Sequence, residues 1–192
     1  YQFVAVIVFT DSDIFLNHFF HCETSYHEIC PEHVLVMIYA GELIIHYGNN
    51  EITIKSGEYV FIQRDIDIIF IKKDTESELF RGVFMGFSSI FLSDFHKTID
   101  KSKIPVISTK FESKVIRLPK TPYIQSLYMS LRPYFDAKIK PSKELLELKL
   151  QEGIYSLLLI DDKFYPCLFD KTDLQGVELI SYFNRNLFGD RN

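Results

Sequence analysis

The sequence predicts a mainly β protein of the α+β class, an antiparallel sandwich or barrel followed by an antiparallel pair of helices. Three observations carry this. Short β-branched runs separated by turn residues fill the first two-thirds of the 192 residues. Beyond residue 123 the apolar period changes to steps of three and four. A content of 47% hydrophobic and 24% charged residues supplies apolar mass for one core, or one core with a helical appendage. The same composition argues against disorder, and no charge-free apolar run reaches the roughly 18 residues of a membrane span.

The first β-branched runs are 3–9, 14–22 and 34–39, each bounded by polar or turn residues. The clearest local signal follows: Glu42-Leu43-Ile44-Ile45-His46-Tyr47 and Glu51-Ile52-Thr53-Ile54-Lys55 flank Gly48-Asn49-Asn50. Glycine and asparagine tolerate the positive φ of tight turns, so this is a hairpin. Ser56-Gly57 turns the chain into a strand at 59–62, and strands at 66–71 and 79–87 flank the charged loop Lys72-Lys73-Asp74-Thr75-Glu76. Ser88-Ser89 caps a short helix carrying Ile90, Phe91, Phe95 and Ile99. After Pro105 a last strand is expected at 114–118, stopped by Pro119. Ile124, Leu127, Tyr128, Leu131 and Phe135 have helical spacing, with Pro133 expected to kink or end that helix. Pro141-Ser142 opens a second, longer helix at about 143–159, with Ser142 as N-cap and Glu144 in its first turn.

A net charge of −5 offers no basic face for a phosphate backbone, so this chain is not expected to hold DNA by itself. Cys22, Cys30 and Cys167 are odd in number and lack a C-x-x-C pair, which points away from a disulfide framework and toward a reducing, cytoplasmic compartment. The segment from Tyr1 to Phe9 lacks the basic flank and cleavage site of a signal peptide.

Three strings then carry a resemblance. They are Pro31-Glu32-His33-Val34-Leu35-Val36-Met37-Ile38-Tyr39-Ala40-Gly41-Glu42-Leu43, then Lys55-Ser56-Gly57-Glu58-Tyr59-Val60-Phe61-Ile62, and Leu145-Leu146-Glu147-Leu148-Lys149-Leu150-Gln151-Glu152. In this order they resemble AraC-type bacterial transcription regulators, over roughly 13–186. The resemblance implies a cupin-like barrel at 1–118 and a helical dimerisation segment at 119–175. Val177-Glu178-Leu179-Ile180-Ser181-Tyr182-Phe183-Asn184-Arg185-Asn186 resembles the start of the region that leads to the DNA-binding half, making 176–192 a linker stub. No helix-turn-helix follows. The expectation is therefore a regulatory domain, homodimeric, answering an unknown small-molecule or protein effector, and touching DNA only through a C-terminal half outside this chain. The rival reading is a cupin-type small-molecule-binding or metal-dependent enzyme domain.

Metal chemistry has one tempting cluster: His18, His21, Cys22, His27, Cys30 and His33. Cupin enzymes resemble one another in a G-x5-H-x-H-x3,4-E-x6-G motif. Setting its last glycine on Gly41 puts the glutamate ligand at Val34 and the histidine pair at Glu28/Cys30 or His27/Ile29. In the second cupin motif Gln63 takes the proline position, and the histidine falls near Ile68. Neither register supplies a ligand set, and strand alternation points His18 and Cys22 away from His21. No metal or cofactor is expected. Ser88-Ser89, Asp161-Asp162 and Asp11-Ser12-Asp13 suit caps and turns, and no nucleophile elbow, phosphate loop or H-E-x-x-H pattern occurs, so no catalysis is expected.

Two features point to binding instead. In 79–87 one face carries Phe80, Gly82, Phe84 and Gly86, the other Leu79, Arg81, Val83, Met85 and Phe87. Glycines alternating with phenylalanines either admit rings from a neighbouring strand or leave room for a ligand. Arg81 would anchor a carboxylate or phosphate if it points inward, and snorkels if at the sheet edge. Phe80, Arg81, Gly82 and Phe84 are thus the candidate ligand contacts. The helix at 143–159 carries Leu146, Leu150, Gly153, Ile154 and Leu157 on one stripe, the expected dimer interface, with Gly153 allowing close approach. Leu145, Leu148, Tyr155 and Leu159 widen the apolar surface. The competing reading buries this helix between the barrel and the preceding helix.

Overall fold

The computed structural model describes residues 5–9, 14–16, 25–106, 109–137 and 141–170. Its strands are β1 Ala5–Phe9, β2 Ile14–Leu16, β3 Ser25–Cys30, β4 His33–Ala40, β5 Glu42–Tyr47, β6 Asn50–Lys55, β7 Tyr59–Ile62, β8 Ile66–Lys73, β9 Arg81–Phe87 and β10 Val115–Arg117. Helices α1 Ser89–Thr98, α2 Pro122–Ala137, α3 Lys143–Ile160 and α4 Phe164–Leu168 complete it. The hairpin sits where its residues demand: Tyr47 pairs with Asn50 across a two-residue turn in which Gly48 has φ +55°. Ser88 Oγ accepts the Phe91 N–H at 3.1 Å and Ser142 Oγ accepts the Leu145 N–H at 3.3 Å, so both predicted caps form. The short helix α4 and strand β3 have no counterpart in the predicted pattern. Helix α2 runs past Pro133 to Ala137 rather than ending there. Its buried Ile124, Leu127 and Leu131 hold it against the core.

The strands form a six-stranded sheet, β10-β7-β4-β9-β1-β2, and a four-stranded sheet, β3-β8-β5-β6. Among the described residues all ladders are antiparallel except β1 with β9, where Ala5 to Phe9 run parallel to Arg81 to Met85. Among the described residues no ladder joins the two sheets, so the expected barrel is a sandwich open along its edges. At one edge a side chain stands in for the ladder. Arg117 on β10 donates through Nη2 to the Thr53 carbonyl of β6 and through Nη1 to Glu58 Oε2, each at 2.6 Å.

Apolar residues lie in two layers. Between the sheets are Val36, Ile38, Leu43, Ile45, Val60 and Ile68, among others. Between the six-stranded sheet and the helices are Leu35, Met37, Phe61, Val83, Met85 and Phe87, packed with Leu127, Leu150 and Ile154. Because the larger sheet is covered on both faces, consecutive residues of β4 are buried, which explains an apolar run without alternation. No helix among the described residues is long and apolar enough to cross a membrane.

Candidate functional site

The four candidate ligand contacts divide between the two faces of β9. Phe80 is fully buried between the sheets, and an ideal Cβ on Gly82 would stand 3.2 Å from its ring and 3.3 Å from Ile38 Cδ1. The space beside Gly82 is therefore taken by the chain's own Phe80. Phe84 is half-buried on the same face, edge-on to Phe70 with centroids 5.7 Å apart, and the Lys72 ammonium lies 5.9 Å from its ring centre. Arg81, one residue on, belongs to the other face. Its Nη2 lies 3.5 Å from Glu78 Oε1 at a half-exposed position, an ion pair rather than an inward anchor.

The five residues expected at a dimer contact are covered within the chain. Leu146, Leu150, Gly153, Ile154 and Leu157 are all buried, and a Cβ on Gly153 would stand 3.2 Å from Phe87 Cζ and 3.7 Å from Leu127 Cδ2. The close approach that Gly153 permits is thus between helix and sheet of one chain. The opposite face of α3 is the open one: Leu148 and Leu159 are each 60% exposed and Tyr155 51%. A helix stripe with apolar residues on both sides looks wide in sequence, and only the neighbours decide which side is core.

The histidine and cysteine cluster is dispersed. His18, His21 and Cys22 lie outside the described residues. Cys30 is buried between the sheets, whereas His33 points to the helical layer and stacks on Phe61 with centroids 5.5 Å apart. His33 Nδ1 accepts the Arg64 N–H at 3.2 Å. Burial, then the charges of Arg64 and Lys114, push its pKa down to about 3, against a hydrogen bond to the Cys167 backbone that raises it. It is a neutral bridge between β4, the β7–β8 turn and α4. Burial likewise pushes the Cys167 thiol up to about 12, leaving no reactive thiolate there. Ile68 and Val34, at the cupin ligand positions, are apolar wall residues, and among the described residues no three histidine, cysteine, aspartate or glutamate side chains converge.

Two openings were not legible in the sequence. The larger, of about 510 Å³, lies where the β5–β6 turn meets the segment before β10; Tyr47, Ile66, Ser113 and Lys114 line it with Glu112. Tyr47 and Ile66 pack against the inter-sheet layer, so this cleft lies at the edge of that layer. It gathers residues more than sixty positions apart, with no local motif to announce them. The smaller, of about 300 Å³, lies among the end of α1, the following loop, α3 and α4.

A family model described as the ExsA N-terminal regulatory domain matches residues 33–164. No curated protein matches the sequence significantly. In fold the chain is similar to ToxT of Vibrio cholerae. Against an apo ToxT variant from strain SCE256 the TM-score is 0.55 at 13% identity, covering 86% of this chain and 61% of that one. Against ToxT of strain O395 bound to (E)-4-(8-methylnaphthalen-1-yl)but-3-enoic acid it is 0.52 at 15% identity, covering 87% and 62%. The chain thus spans about three-fifths of the length of these relatives.

Proposed function

Because the chain belongs to the ExsA N-terminal regulatory domain family, and so to the regulatory domains of AraC-type transcription regulators, we propose that it senses a small apolar acid and dimerises, controlling a DNA-binding half that lies outside it. The observation that carries the effector reading is the cleft at the edge of the apolar inter-sheet layer, where Tyr47 and Ile66 stand beside Lys114. Such a cleft accepts a hydrocarbon or aryl body, and a lysine in its lining pairs with a carboxylate. The aryl-alkenoic acid held by ToxT has the same two parts. The ligand is placed in this cleft, against Tyr47 and Ile66; Phe80, Gly82 and Phe84 pack within the chain, and Arg81 pairs with Glu78. The sandwich plays the part of the cupin-like sensor, with no catalytic role, in the cytoplasm.

Dimerisation is assigned to the open face of α3. Leu145, Leu148, Glu152, Tyr155 and Leu159 step by three and four, the spacing of a coiled-coil seam. An effector that favours one packing of the helices on the sheet then alters the seam, and with it the spacing of two DNA-binding halves.

Thermal denaturation with decanoate and decanol tests the effector site. Decanoate is expected to raise the melting temperature, decanol to raise it less, and Lys114→Ala to remove the difference; no response to decanoate, or an unchanged difference in the variant, refutes the site. For the dimer, Leu148→Glu with Leu159→Glu should give a folded monomer in sedimentation. A folded double variant that stays dimeric places the contact elsewhere.

A further inference from the structure

The cleft does not end at Lys114. The Lys114 ammonium donates to the Arg64 carbonyl at 3.4 Å, a long contact for a charged donor. Arg64 reaches the helices from the same position: its N–H donates to His33 Nδ1 at 3.2 Å and its Nη1 to Ser89 Oγ at 3.1 Å. Ser89 is the first residue of α1, and His33 is hydrogen-bonded in turn to the Cys167 backbone of α4. From these contacts we infer that the β7–β8 turn at Arg64 transmits occupancy of the cleft to the helical layer: an acid that draws Lys114 off the Arg64 carbonyl loosens the turn, and with it the hold of His33 on α4 and of Arg64 on α1. The inference rests on the effector reading of the cleft and adds the route by which that cleft reaches the helices.

The turn is built to respond. Asp65 has φ +55°, a left-handed conformation that a residue with a Cβ keeps only where its surroundings impose it. The peptide that joins Arg64 to Asp65 is gripped at both ends, its carbonyl by Lys114 and its N–H by the Cys30 carbonyl at 2.7 Å. Arg64 Nε adds a weaker hold, 3.5 Å from Asp65 Oδ2. A ligand carboxylate is a stronger acceptor for an ammonium than a peptide carbonyl at this distance, so Lys114 leaves the turn when an acid arrives. With one end released, the peptide plane is free to rotate and the strain at Asp65 is relieved. Rotation moves the Arg64 N–H that holds His33. The His33 ring stacks on Phe61, which lies edge-on to Phe164 of α4 with centroids 5.2 Å apart, so packing carries the movement to α4 as well.

Amide hydrogen exchange of the 192-residue chain, followed by NMR with and without saturating decanoate and in Lys114→Ala without ligand, tests the coupling. Lys114 is exposed, so the variant is expected to keep the fold. The Arg64 and Asp65 amides, and the Phe169 N–H that closes α4 on the Tyr165 carbonyl, should exchange about threefold faster or more in both cases, while the amides of β4 and α3 do not quicken. Loss of positive charge by itself acts the other way, because it lowers the hydroxide concentration near these amides and slows their exchange, so the sign separates an opened turn from a changed field. Decanoate that raises the melting temperature yet leaves these amides unchanged or slower overturns the coupling and leaves the effector site standing. Decanoate that fails to bind overturns the effector reading and the coupling with it. Unchanged or slower exchange in Lys114→Ala overturns the grip of Lys114 on the turn.

Discussion

Leu150→Ala separates the two faces of α3 by energy. Leu150 is fully buried in the layer that holds Phe87, Leu127 and Ile154. Truncation removes three carbons from that layer, a transfer loss of roughly 2 kcal/mol, and leaves a cavity among side chains held by sheet and helices, which collapses only in part. The expected cost is about 3 kcal/mol, a large share of the roughly 5–15 kcal/mol that holds a domain folded. For a chain of this size it lowers the melting temperature by roughly 6–12 °C. Leu148→Ala, on the open face, is expected to stay within about 0.5 kcal/mol in the monomer. Urea denaturation followed by circular dichroism, at two protein concentrations a decade apart, measures both. An intramolecular core residue costs the same at either concentration, whereas a residue at a subunit contact costs more where dimer is populated. A Leu150→Ala loss below about 1 kcal/mol, or one that depends on concentration, would refute the placement of this stripe in the core.

Three further outcomes follow from single contacts. Gly82→Phe must displace Phe80 and Ile38, whose atoms stand 3.2 and 3.3 Å from an ideal Cβ, and should cost at least about 2 kcal/mol; a variant as stable as the parent would show that the space beside Gly82 is open. Gly41 has φ +76°, and a Cβ there would lie 2.5 Å from the Lys73 carbonyl oxygen and 2.9 Å from Phe80 Cα, so Gly41→Ala should lose more than about 3 kcal/mol, read as a collapse of the urea midpoint. His33 has a folded pKa of about 3 against 6.5 unfolded. Above pH 6.5 both states are neutral, and as pH falls from there toward 3 only the unfolded chain takes the proton, so stability drops by up to about 1.4 kcal/mol per pH unit. The difference in unfolding free energy between pH 7 and pH 5 should shrink in His33→Gln, and an unchanged slope would acquit this histidine.

What the sequence determined by itself is what depends on near neighbours in the chain. The turn at Gly48, the caps at Ser88 and Ser142, and the length of α3 rest on backbone conformations and hydrogen bonds that close within four residues, so their residue types announce them. The family resemblance was legible for the same reason, in the order of such elements. Tertiary structure alone decided what covers each face. Periodicity says that Leu146, Leu150 and Leu157 share a side of α3, but only Phe87, arriving from β9, makes that side the core and leaves Leu148 and Leu159 in the open. Alternation says that Gly82 and Phe84 share a face; the Phe80 ring, from the residue just before the strand, decides that the gap is filled. The parallel pairing of β1 with β9, the Arg117 bridge in place of a closed ladder, and the cleft of Tyr47, Ile66 and Lys114 join residues tens of positions apart. Their energies come from burial and pairing between distant segments, which leave no trace in the spacing of any one of them.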